Sequence, residues 1–306
     1  MGLVHDLAGI PNLLLRPAAP LAEYTTFHIG GPAEILVEAT TEDSLLRAIT
    51  LCRQQGVPVH FLGGGSNVLI SDAGLDGVTL VNKGRFLSWG EDGCATVSGG
   101  FLLDDFVGET AQQGWQGLEF AAGIPGTVGG GLAGGAGAYG HLLGDYLLGA
   151  RILDTHGAVR EVSAREMGIG YRESAARERG DIILSVAFHM LQRSDRQAIQ
   201  LEIKKIKRDR AGKHPGPDLP SAGSFFKNLP PLEPGGRRIP AGKLLDEAGV
   251  KGLRVGDAQV FEKHANIIVN RGRATASDVN RLAEEMAERV RHRHGVTLVR
   301  EVLYWS

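Results

Sequence analysis

The stretch that decides the fold is FLGGGSNVLI, residues 61–70, in which three consecutive glycines separate two apolar runs. A turn built from Gly63, Gly64 and Gly65 can aim several backbone N–H groups at one phosphate. It is not a P-loop, because no Gly-Lys-Ser/Thr follows, and it is not a G-x-G-x-x-G turn that opens a long helix. The stretch by itself is equally compatible with a tight turn that binds nothing.

The residues before this turn predict a β-α-β unit. Residues 33–39 (AEILVEA) and 57–62 (VPVHFL) read as strands. Between them a helix is predicted to begin near Thr41 and to end at Gly56. A third strand, GVTLVN, follows the glycine turn, so the first block of the chain mixes helices and strands.

Two further turns are rich in small residues. Residues 123–140 read GIPGTVGGGLAGGAGAYG, and residues 25–32 read TTFHIGGP. The chain has 44 glycines in 306 residues, about twice the usual share of roughly 7%. Glycine permits sharp turns and a close approach of the backbone to a ligand. Three such turns around one block of helices and strands favour a dinucleotide cofactor.

The rest of the chain repeats helices and strands in two blocks, roughly 20–195 and 215–306. The predicted elements are a strand at CATVSGG, a helix at LLDDFVGETAQQG, a hairpin from LLGARILDT to AVREVS, a strand over 181–191, a charged helix that ends at Gly212, a short helix at AGKLLDEAGV, a strand at ANIIVN, and a closing strand at VTLVREVLYW. The helix that starts after Thr275 has a capping-box pattern with Asp278, and Gly295 ends it.

Composition excludes several classes of function. The net charge of −2 argues against nucleic acid as a partner, since phosphate binding requires a basic surplus. Cys52 and Cys94 have no metal-like spacing, and HRH at residues 292–294 is interpreted as a helix end and not a metal site. No apolar run approaches the length of a membrane span, and the N-terminus lacks signal-peptide features. We therefore expect a cytoplasmic protein without metal or membrane, and a monomer is favoured.

Seven motifs in order resemble one family: TTFHIGGPAE, LGGGSNVLI, GIPGTVGG, GAYG, GYRES, GSFFKN and HANIIVN. Together they are similar to UDP-N-acetylenolpyruvoylglucosamine reductases, flavoproteins of peptidoglycan precursor synthesis. The resemblance covers the chain from about residue 20 to the end. It implies an α+β fold, with an FAD-binding domain of the vanillyl-alcohol-oxidase (PCMH) type and a C-terminal α+β substrate-binding domain. It also implies the shorter variant of the family, without a tyrosine loop.

The resemblance implies boundaries and ligands as well. The expected divisions are an N-terminal extension (1–19), an FAD-binding domain (20–195, with subdomains 20–83 and 84–195), a linker (196–220) and a substrate domain (221–306). FAD is expected to be non-covalent, because Ser66 and Asn67 stand where a covalent flavin would need a histidine. NADPH is the expected reductant, and a UDP-sugar the expected substrate.

The implied reaction reduces an enolpyruvyl ether, with hydride passing from flavin N5 to the vinyl carbon. Negative charge then develops beside a carboxylate, which requires a cation or acid and a proton donor. By resemblance Arg172 grips the carboxylate, Glu301 holds the charge and Ser224 donates the proton. Each has an ordinary alternative: a surface ion pair for Arg172, an ion pair for Glu301, and capping of a turn for Ser224.

Glu301 also has an argument from spacing, because Val299, Glu301, Leu303 and Trp305 would share one face of the closing strand. A carboxyl group on an apolar face is expected to have a raised pKa. The opposite face is also largely apolar, which weakens this argument.

The remaining predicted site residues follow the motifs. The cofactor residues are Thr26, Ile29, Gly30, Gly63, Gly64, Gly65, Ser66, Asn67, Gly123, Pro125, Gly126, Thr127, Gly129, Gly130, Gly137, Ala138 and Tyr139. The substrate residues are Tyr171, Lys213, Asn228 and His264.

One departure from the family pattern is Gly135, where relatives usually carry Asn. It is expected to remove one possible hydrogen bond near the flavin. Two competing hypotheses are a flavin oxidase of the same fold and a catalytically silent flavin- or nucleotide-binding module. The combination of Arg172, Ser224 and Glu301 argues against both.

Overall fold

The computed structural model describes residues 2–190, 192–233 and 235–306. The helices are α1 (Leu3–Ala8), α2 (Glu42–Gln54), α3 (Leu103–Gln113), α4 (Val128–Ala133), α5 (Ala164–Met167), α6 (Ala175–Arg179), α7 (Arg196–Lys213), α8 (Ala241–Glu247) and α9 (Ala276–His294). The strands are β1 (Leu13–Pro17), β2 (Ala33–Ala39), β3 (Val59–Leu62), β4 (Val68–Ile70), β5 (Leu75–Asn82), β6 (Leu87–Trp89), β7 (Cys94–Ser98), β8 (Trp115–Gln116), β9 (Gly137–Ala138), β10 (His141–Leu142), β11 (Leu147–Leu153), β12 (Val159–Ser163), β13 (Ile182–His189), β14 (Gln192–Arg193), β15 (Ser221–Ser224), β16 (Arg254–Val255), β17 (Ala258–Val260), β18 (Ile267–Asn270) and β19 (Leu303–Trp305).

The chain divides into two units, and both are discontinuous in sequence. The first unit comprises residues 1–17, 35–64 and 77–210, and the second comprises residues 18–34, 65–76 and 211–306. The chain therefore leaves the first unit inside the glycine turn, between Gly64 and Gly65. The boundaries expected from the resemblance stay a prediction.

The first unit contains a four-stranded sheet in the order β1-β2-β5-β3. The predicted β-α-β unit is confirmed, with β5 between β2 and β3 and parallel to β3. Helix α2 begins where the sequence predicts, because Thr41 accepts a bond from the backbone of Ser44 in a capping box. Its buried face, which includes Leu45, Ala48 and Ile49, packs into a core shared with β2 and β5.

A second sheet of the first unit has the order β12-β11-β13-β7-β6. The predicted hairpin is confirmed by the antiparallel pairing of β11 with β12. Strand β13 confirms the strand predicted over 181–191, except that Leu191 lies outside the described residues. Met1, the first residue of the expected N-terminal extension, also lies outside them.

The second unit has a sheet in the order β15-β18-β17-β16, packed against α9. The five apolar positions predicted to face the core of this helix are all buried: Val279, Leu282, Ala283, Met286 and Val290. The Thr275–Asp278 capping box and the left-handed Gly295 at the helix end are also confirmed. The short strands β4 and β19 pair in parallel beside this core.

The closing strand is much shorter than predicted. Strand β19 begins at Leu303, and residues 296–302 form only one isolated bridge, between Arg300 and Phe226. The proposed face of alternating residues is wrong, because Val299 is 60% exposed while its neighbour in the series, Glu301, is only 9% exposed. Glu301 is buried because its backbone pairs with another segment and not because a regular strand places it.

No helix within the described ranges is long and apolar enough to cross a membrane. Cys52 and Cys94 are both free thiols, and Cys52 is buried in the first unit. Burial raises the pKa of the Cys52 thiol, which keeps it in the unreactive protonated form.

Candidate active site

In the first unit the glycine turn at residues 63–64 lies directly against the turn at residues 126–127. A Cβ atom on Gly64 would lie 2.5 Å from Cα of Gly126, and one on Gly63 would lie 3.1 Å from the Thr127 hydroxyl. Real Cβ atoms do not approach a backbone carbon that closely. The sequence therefore has glycine here because two backbone segments touch.

This contact leaves backbone donors available for a ligand. Within the described part of the chain, the N–H groups of Gly64, Gly126 and Thr127 donate to no protein acceptor. Thr127 is only 6% exposed, and a buried N–H group without an acceptor is rare in folded proteins. Adjacent donors of this kind suit the phosphate oxygens of a dinucleotide, so these residues fit the expected FAD.

Other predicted cofactor residues of the first unit have structural partners. The Thr127 hydroxyl accepts from the N–H of Gly130 and caps α4, and the N–H of Gly129 donates to Gly99 at 2.9 Å. Tyr139 has a left-handed backbone, with φ of 53°, and its hydroxyl donates to Asp209 at 2.8 Å. Their role toward a cofactor stays a prediction.

Arg172 lies in a tight turn that the first unit holds at residues 170–173. Gly170 and Glu173 form a β-bridge, and Arg172 itself has φ of 58°. Its guanidinium lies over the ring of Tyr171, 5.3 Å from the centroid. A non-glycine residue in the left-handed region is uncommon, and such residues cluster at functional sites.

Gly135 has a different significance from the one expected. A Cβ atom there would lie 2.9 Å from the backbone nitrogen of Arg172 and still closer to the carbonyl oxygen of Gly170. In this backbone no side chain fits at residue 135. The glycine is therefore explained by its contact with the Arg172 turn; a lost hydrogen bond to a cofactor is not required to account for it.

In the second unit the small-residue turn at residues 25–32 joins the start of β15. The N–H of Thr26 donates to Gly65 at 3.0 Å, and the Thr26 hydroxyl donates to the Ser221 carbonyl at 2.8 Å. Gly65 has φ of 62°, and a Cβ atom on it would overlap the carbonyl of Tyr24. The second half of the GGGSN turn is thus tied to the strand that ends at Ser224.

Ser224 and Glu301 come together in the second unit. The N–H of Glu301 donates to the carbonyl of Phe225 at 2.8 Å, which places Glu301 beside the residue that follows Ser224. The Asn67 side chain donates to the Glu301 carbonyl at 3.1 Å. Asn67, Ser224 and Glu301 are therefore neighbours in the structure, although even the nearest pair, Ser224 and Glu301, is 77 positions apart in the sequence.

The hydroxyl of Ser224 bonds to no group of the described residues, whereas most buried or half-buried hydroxyls find a partner. The residue is half-buried at the end of β15. Within the described residues this serine therefore forms no capping bond. The hydroxyl is free to bond to something that the protein binds.

Asn228 and His264, both predicted to bind substrate, lie at the start of α8. The Asn228 side chain accepts from the N–H of Ala241 at 3.1 Å, and the His264 ring lies 3.4 Å from where a Cβ of Gly242 would be. The ring of His214 lies 5.7 Å from that of His264, and Lys213 precedes it. The three predicted substrate residues of this unit thus belong to one region.

His264 is neutral near neutral pH. Burial is the main cause that lowers its pKa below the usual histidine value, and the charge of Lys251 lowers it further. Its Nδ1 accepts a bond from the N–H of Asn266 at 3.3 Å, so the proton of the neutral ring is on Nε2. His264 therefore offers a substrate a hydrogen-bond donor and no charge.

Asn266, which lies in the motif HANIIVN, is not among the site residues predicted from the sequence. Its side chain accepts from the N–H of Phe226 at 2.9 Å and donates to the carbonyl of the same residue at 2.8 Å. This amide replaces a missing strand partner and fixes the segment that follows Ser224. A buried Asn inside an apolar strand was the available signal, since such groups need partners.

Arg210, a half-buried arginine near the end of α7 in the first unit, is also absent from the predicted site residues. Burial is the main cause that lowers the pKa of its guanidinium, while the charges of Tyr139 and Asp104 raise it and that of Arg172 lowers it. A second cation in the surroundings of Arg172 suits an anionic ligand. No motif in the charged helix distinguishes it from the surface arginines around it.

One cavity of the first unit, of about 530 Å³, is not lined by the turns at residues 63–64 and 126–127. It is lined by Phe120, Tyr146 and His141 and by residues of α7, and Tyr139 is its one predicted cofactor residue. The unbonded N–H groups of Gly64, Gly126 and Thr127 lie outside this cavity, so the cavity offers no equivalent set of phosphate donors.

Comparison with known proteins identifies the family. Residues 214–305 match the family model for the C-terminal domain of UDP-N-acetylenolpyruvoylglucosamine reductase, and residues 33–163 match a model of an FAD binding domain. A UDP-N-acetylenolpyruvoylglucosamine reductase of Symbiobacterium thermophilum is 39% identical over 95% of this chain and 92% of its own. This chain belongs to the UDP-N-acetylenolpyruvoylglucosamine reductase family.

Two other similar proteins agree with this family. A reductase of the same name from Lachnoclostridium phytofermentans is 38% identical over 92% of this chain and 90% of its own. The crystal structure of the Thermus caldophilus reductase superimposes with a TM-score of 0.77 at 33% identity, covering 96% of this chain and 99% of that chain. The predicted family, the α+β fold class and the FAD cofactor are confirmed, and the protein is an FAD-dependent oxidoreductase.

Proposed function

We propose that this protein reduces UDP-N-acetylglucosamine enolpyruvate to UDP-N-acetylmuramate, with NADPH as the reductant. The family supports the reaction. One structural observation carries the proposal: Ser224 and Glu301 lie on paired segments of the second unit, and the Ser224 hydroxyl has no protein partner among the described residues. Protonation of a carbanion requires a donor that can reach it, and an unbonded hydroxyl is such a donor.

Ser224 donates the proton in this proposal. A serine hydroxyl is a weak acid in water, but the carbanion formed after hydride addition is a far stronger base. Its small side chain allows the close approach that proton transfer requires. The unbonded hydroxyl needs no rearrangement of protein hydrogen bonds before it reacts.

Glu301 and Arg172 stabilise the charge that develops beside the substrate carboxylate. Arg172 is permanently charged and can hold a carboxylate through two parallel N–H bonds. Glu301 is only 9% exposed, and in its protonated form it donates a hydrogen bond to the enolate oxygen. Tyr171, whose ring lies under the Arg172 guanidinium, limits the positions that the guanidinium can adopt.

Substrate phosphates are held by Lys213, Asn228 and His264 in this proposal. Lysine supplies a positive charge, and the neutral His264 supplies an N–H donor from Nε2. The side chain of Asn228 already orders the start of α8 through Ala241. Lys213 and His264 thus combine one positive charge with one neutral donor.

FAD, when bound, accepts a hydride from NADPH and transfers it to the substrate. The residues proposed to hold it non-covalently are the glycine-turn residues predicted above, and the unbonded N–H groups at Gly64, Gly126 and Thr127 support this assignment. Their donors suit the diphosphate. Ser66 and Asn67 offer no nucleophile for a covalent flavin bond.

We further propose a cytoplasmic monomer of the shorter family variant, with boundaries near residues 20, 195 and 221. The free thiols of Cys52 and Cys94 suit a reducing compartment. Size-exclusion chromatography with light scattering measures the oligomeric state directly.

A two-step anaerobic titration tests the function. The purified protein is expected to carry the yellow absorbance of FAD, to lose it on addition of NADPH, and to regain it when the enolpyruvyl substrate is added. Product formation is checked by mass spectrometry. Return of the colour only on admission of oxygen would contradict the proposal and indicate an oxidase, and absence of flavin would indicate a different class of binding protein.

A further inference from the structure

Gly135 forms an unusually close backbone contact with the turn that carries Arg172. A Cβ atom on Gly135 would lie 2.8 Å from the nitrogen of Glu173 and 2.9 Å from that of Arg172, with the carbonyl of Gly170 closer still. All three neighbours are backbone atoms, so no side-chain rotation can relieve the overlap. Gly135 itself has φ of 55°, which also favours glycine.

The carbonyl of Gly135 contacts both the backbone and the guanidinium of Arg172. The carbonyl of Gly135 accepts from the backbone N–H of Arg172 at 3.4 Å and from its Nη1 at 3.5 Å. These bonds are long and individually weak. Both bonds converge on one carbonyl, so the side chain and the backbone of Arg172 share Gly135 as a neighbour.

A second anchor holds the turn on its other side. The hydroxyl of Ser174, which is 1% exposed, donates to the carbonyl of Ala133 at the end of α4 at 2.8 Å. Residues 133–135 thus hold the Arg172 turn before and after the arginine. This explains how Arg172 keeps a backbone with φ of 58°, a conformation that is unfavourable for most side chains.

We propose that Gly135 is a positioning residue for Arg172: the absence of a side chain at 135 sets the place of the 170–173 turn and therefore of the guanidinium. This inference rests on the proposed role of Arg172 in holding the substrate carboxylate. A displacement of about 1 Å in such a group reduces turnover by about 10²-fold. A methyl group at residue 135 produces a displacement of that size, because real Cβ atoms do not approach a backbone atom within 3.0 Å.

The test compares Gly135→Ala with Gly56→Ala in the full-length holoenzyme. Gly56 also has a left-handed backbone, with φ of 67°, but a Cβ atom there has no neighbour within 4 Å. Both variants bear the backbone cost of alanine at positive φ, and only the first displaces the Arg172 turn. Flavin content and Tm confirm that each variant is folded and loaded.

We expect Gly135→Ala to lower kcat/KM for the enolpyruvyl substrate by about 10²-fold, and Gly56→Ala to change it by less than about 3-fold. Stopped-flow measurements separate the two half-reactions. Reduction by NADPH is expected to keep its rate in Gly135→Ala, while reoxidation by the enolpyruvyl substrate slows. A general structural defect would slow both half-reactions, so equal slowing overturns the proposal.

A double-mutant cycle with Arg172→Ala completes the test. If Gly135 acts through Arg172, adding Gly135→Ala to Arg172→Ala lowers kcat/KM no further. If the losses of kcat/KM from the two single changes add in the double variant, the positioning role of Gly135 is overturned and the role of Arg172 is unaffected. Full activity of Arg172→Ala overturns the proposed role of Arg172 itself, and the inference with it. If Gly135→Ala does not fold, Ser174→Ala is the second variant, because it loosens the same turn. It is expected to slow reoxidation by the enolpyruvyl substrate while reduction by NADPH keeps its rate. Combined with Arg172→Ala it is expected to lower kcat/KM no further.

Discussion

The predicted site residues of the two units are of opposite kinds. In the first unit the key feature is the absence of side chains: Gly64 lies against Gly126, and their N–H groups remain unbonded within the described residues. In the second unit the key features are polar side chains. Ser224, Glu301 and Asn266 occupy places that hydrogen bonds between distant segments define.

This difference determines how each region responds to mutation. A surface of touching backbones cannot accept an added methyl group without moving, because the interior is close-packed. A region built from polar side chains loses the particular hydrogen bond or proton that the removed group supplied. The first unit is therefore expected to fail by overpacking and the second by loss of a specific bond or proton donor.

The largest effect is expected from Ser224→Ala in the second unit. Removing the proton donor should slow reoxidation by the enolpyruvyl substrate by about 10²- to 10⁴-fold, the usual contribution of a general acid. The rate of flavin reduction by NADPH and the Tm should stay unchanged, because the hydroxyl bonds to nothing in the described residues. Stopped-flow absorbance of the flavin measures both rates.

Ser221→Ala is the matched control for this variant, since Ser221 lies on the same strand and is bonded through its backbone. It should leave both half-reactions unchanged. Normal turnover in Ser224→Ala would remove the serine from the mechanism and with it the chemical role assigned to the second unit.

The next largest effect is expected from Asn266→Ala, which tests whether hydrogen bonds define the second region. The change leaves the N–H and the carbonyl of buried Phe226 without partners, and each orphaned group costs about 1–3 kcal/mol. Chemical denaturation should therefore show a lower free energy of unfolding. Turnover should also fall, because the segment after Ser224 loses its anchor; unchanged stability would show that water replaces the amide.

A smaller effect is expected from Gly64→Ala in the first unit, at about 1–3 kcal/mol of lost stability from overpacking. Because the methyl group pushes the 126–127 turn away, FAD affinity should fall with it. Gly108→Ala is the control: Gly108 lies inside α3 with open space around it, so alanine should stabilise the protein by about 0.5–1 kcal/mol. Equal FAD affinity in the two variants would contradict a backbone-built cofactor surface.

The smallest effect concerns pH and His264. Since its folded-state pKa is lowered, the unfolded chain binds a proton more readily as pH falls below the ordinary histidine value of about 6.5. The contribution of His264 to the free energy of unfolding is therefore full above a pH of about 6.5 and declines as the pH falls below it. The loss of Tm between pH 7.5 and pH 5.5 should be smaller in His264→Gln than in the wild type, measured by differential scanning fluorimetry; an equal or larger loss would contradict a buried neutral ring.

Local features of the fold could be predicted because they depend on neighbours in the sequence. The caps at Thr41 and Thr275 join residues three positions apart, and the buried face of α9 follows the helical period. The closing strand was predicted too long for the same reason. Its apolar run satisfies a local pattern, but Val299 finds no strand partner that would bury it.

The candidate site was only partly predictable. Motifs in order pointed to Ser224, Glu301 and Arg172. The one local signal for Asn266 was a polar residue in an apolar predicted strand, and no local pattern marks Arg210 as special. The significance of Gly135 was also hidden, because it depends on residues 170–173, about 35 positions away. Such pairs are invisible to periodicity and become neighbours only after the sheets have formed.

The sequence by itself determined where the backbone turns, which helices form, and which family the motifs resemble, because propensity, capping and glycine content act over a few residues. The tertiary structure decided which glycines touch, that the Ser224 hydroxyl stays unbonded, and that Arg172 is held against Gly135. The physical reason is that these features are contacts between segments 35 to more than 75 residues apart, and packing of the whole unit fixes them.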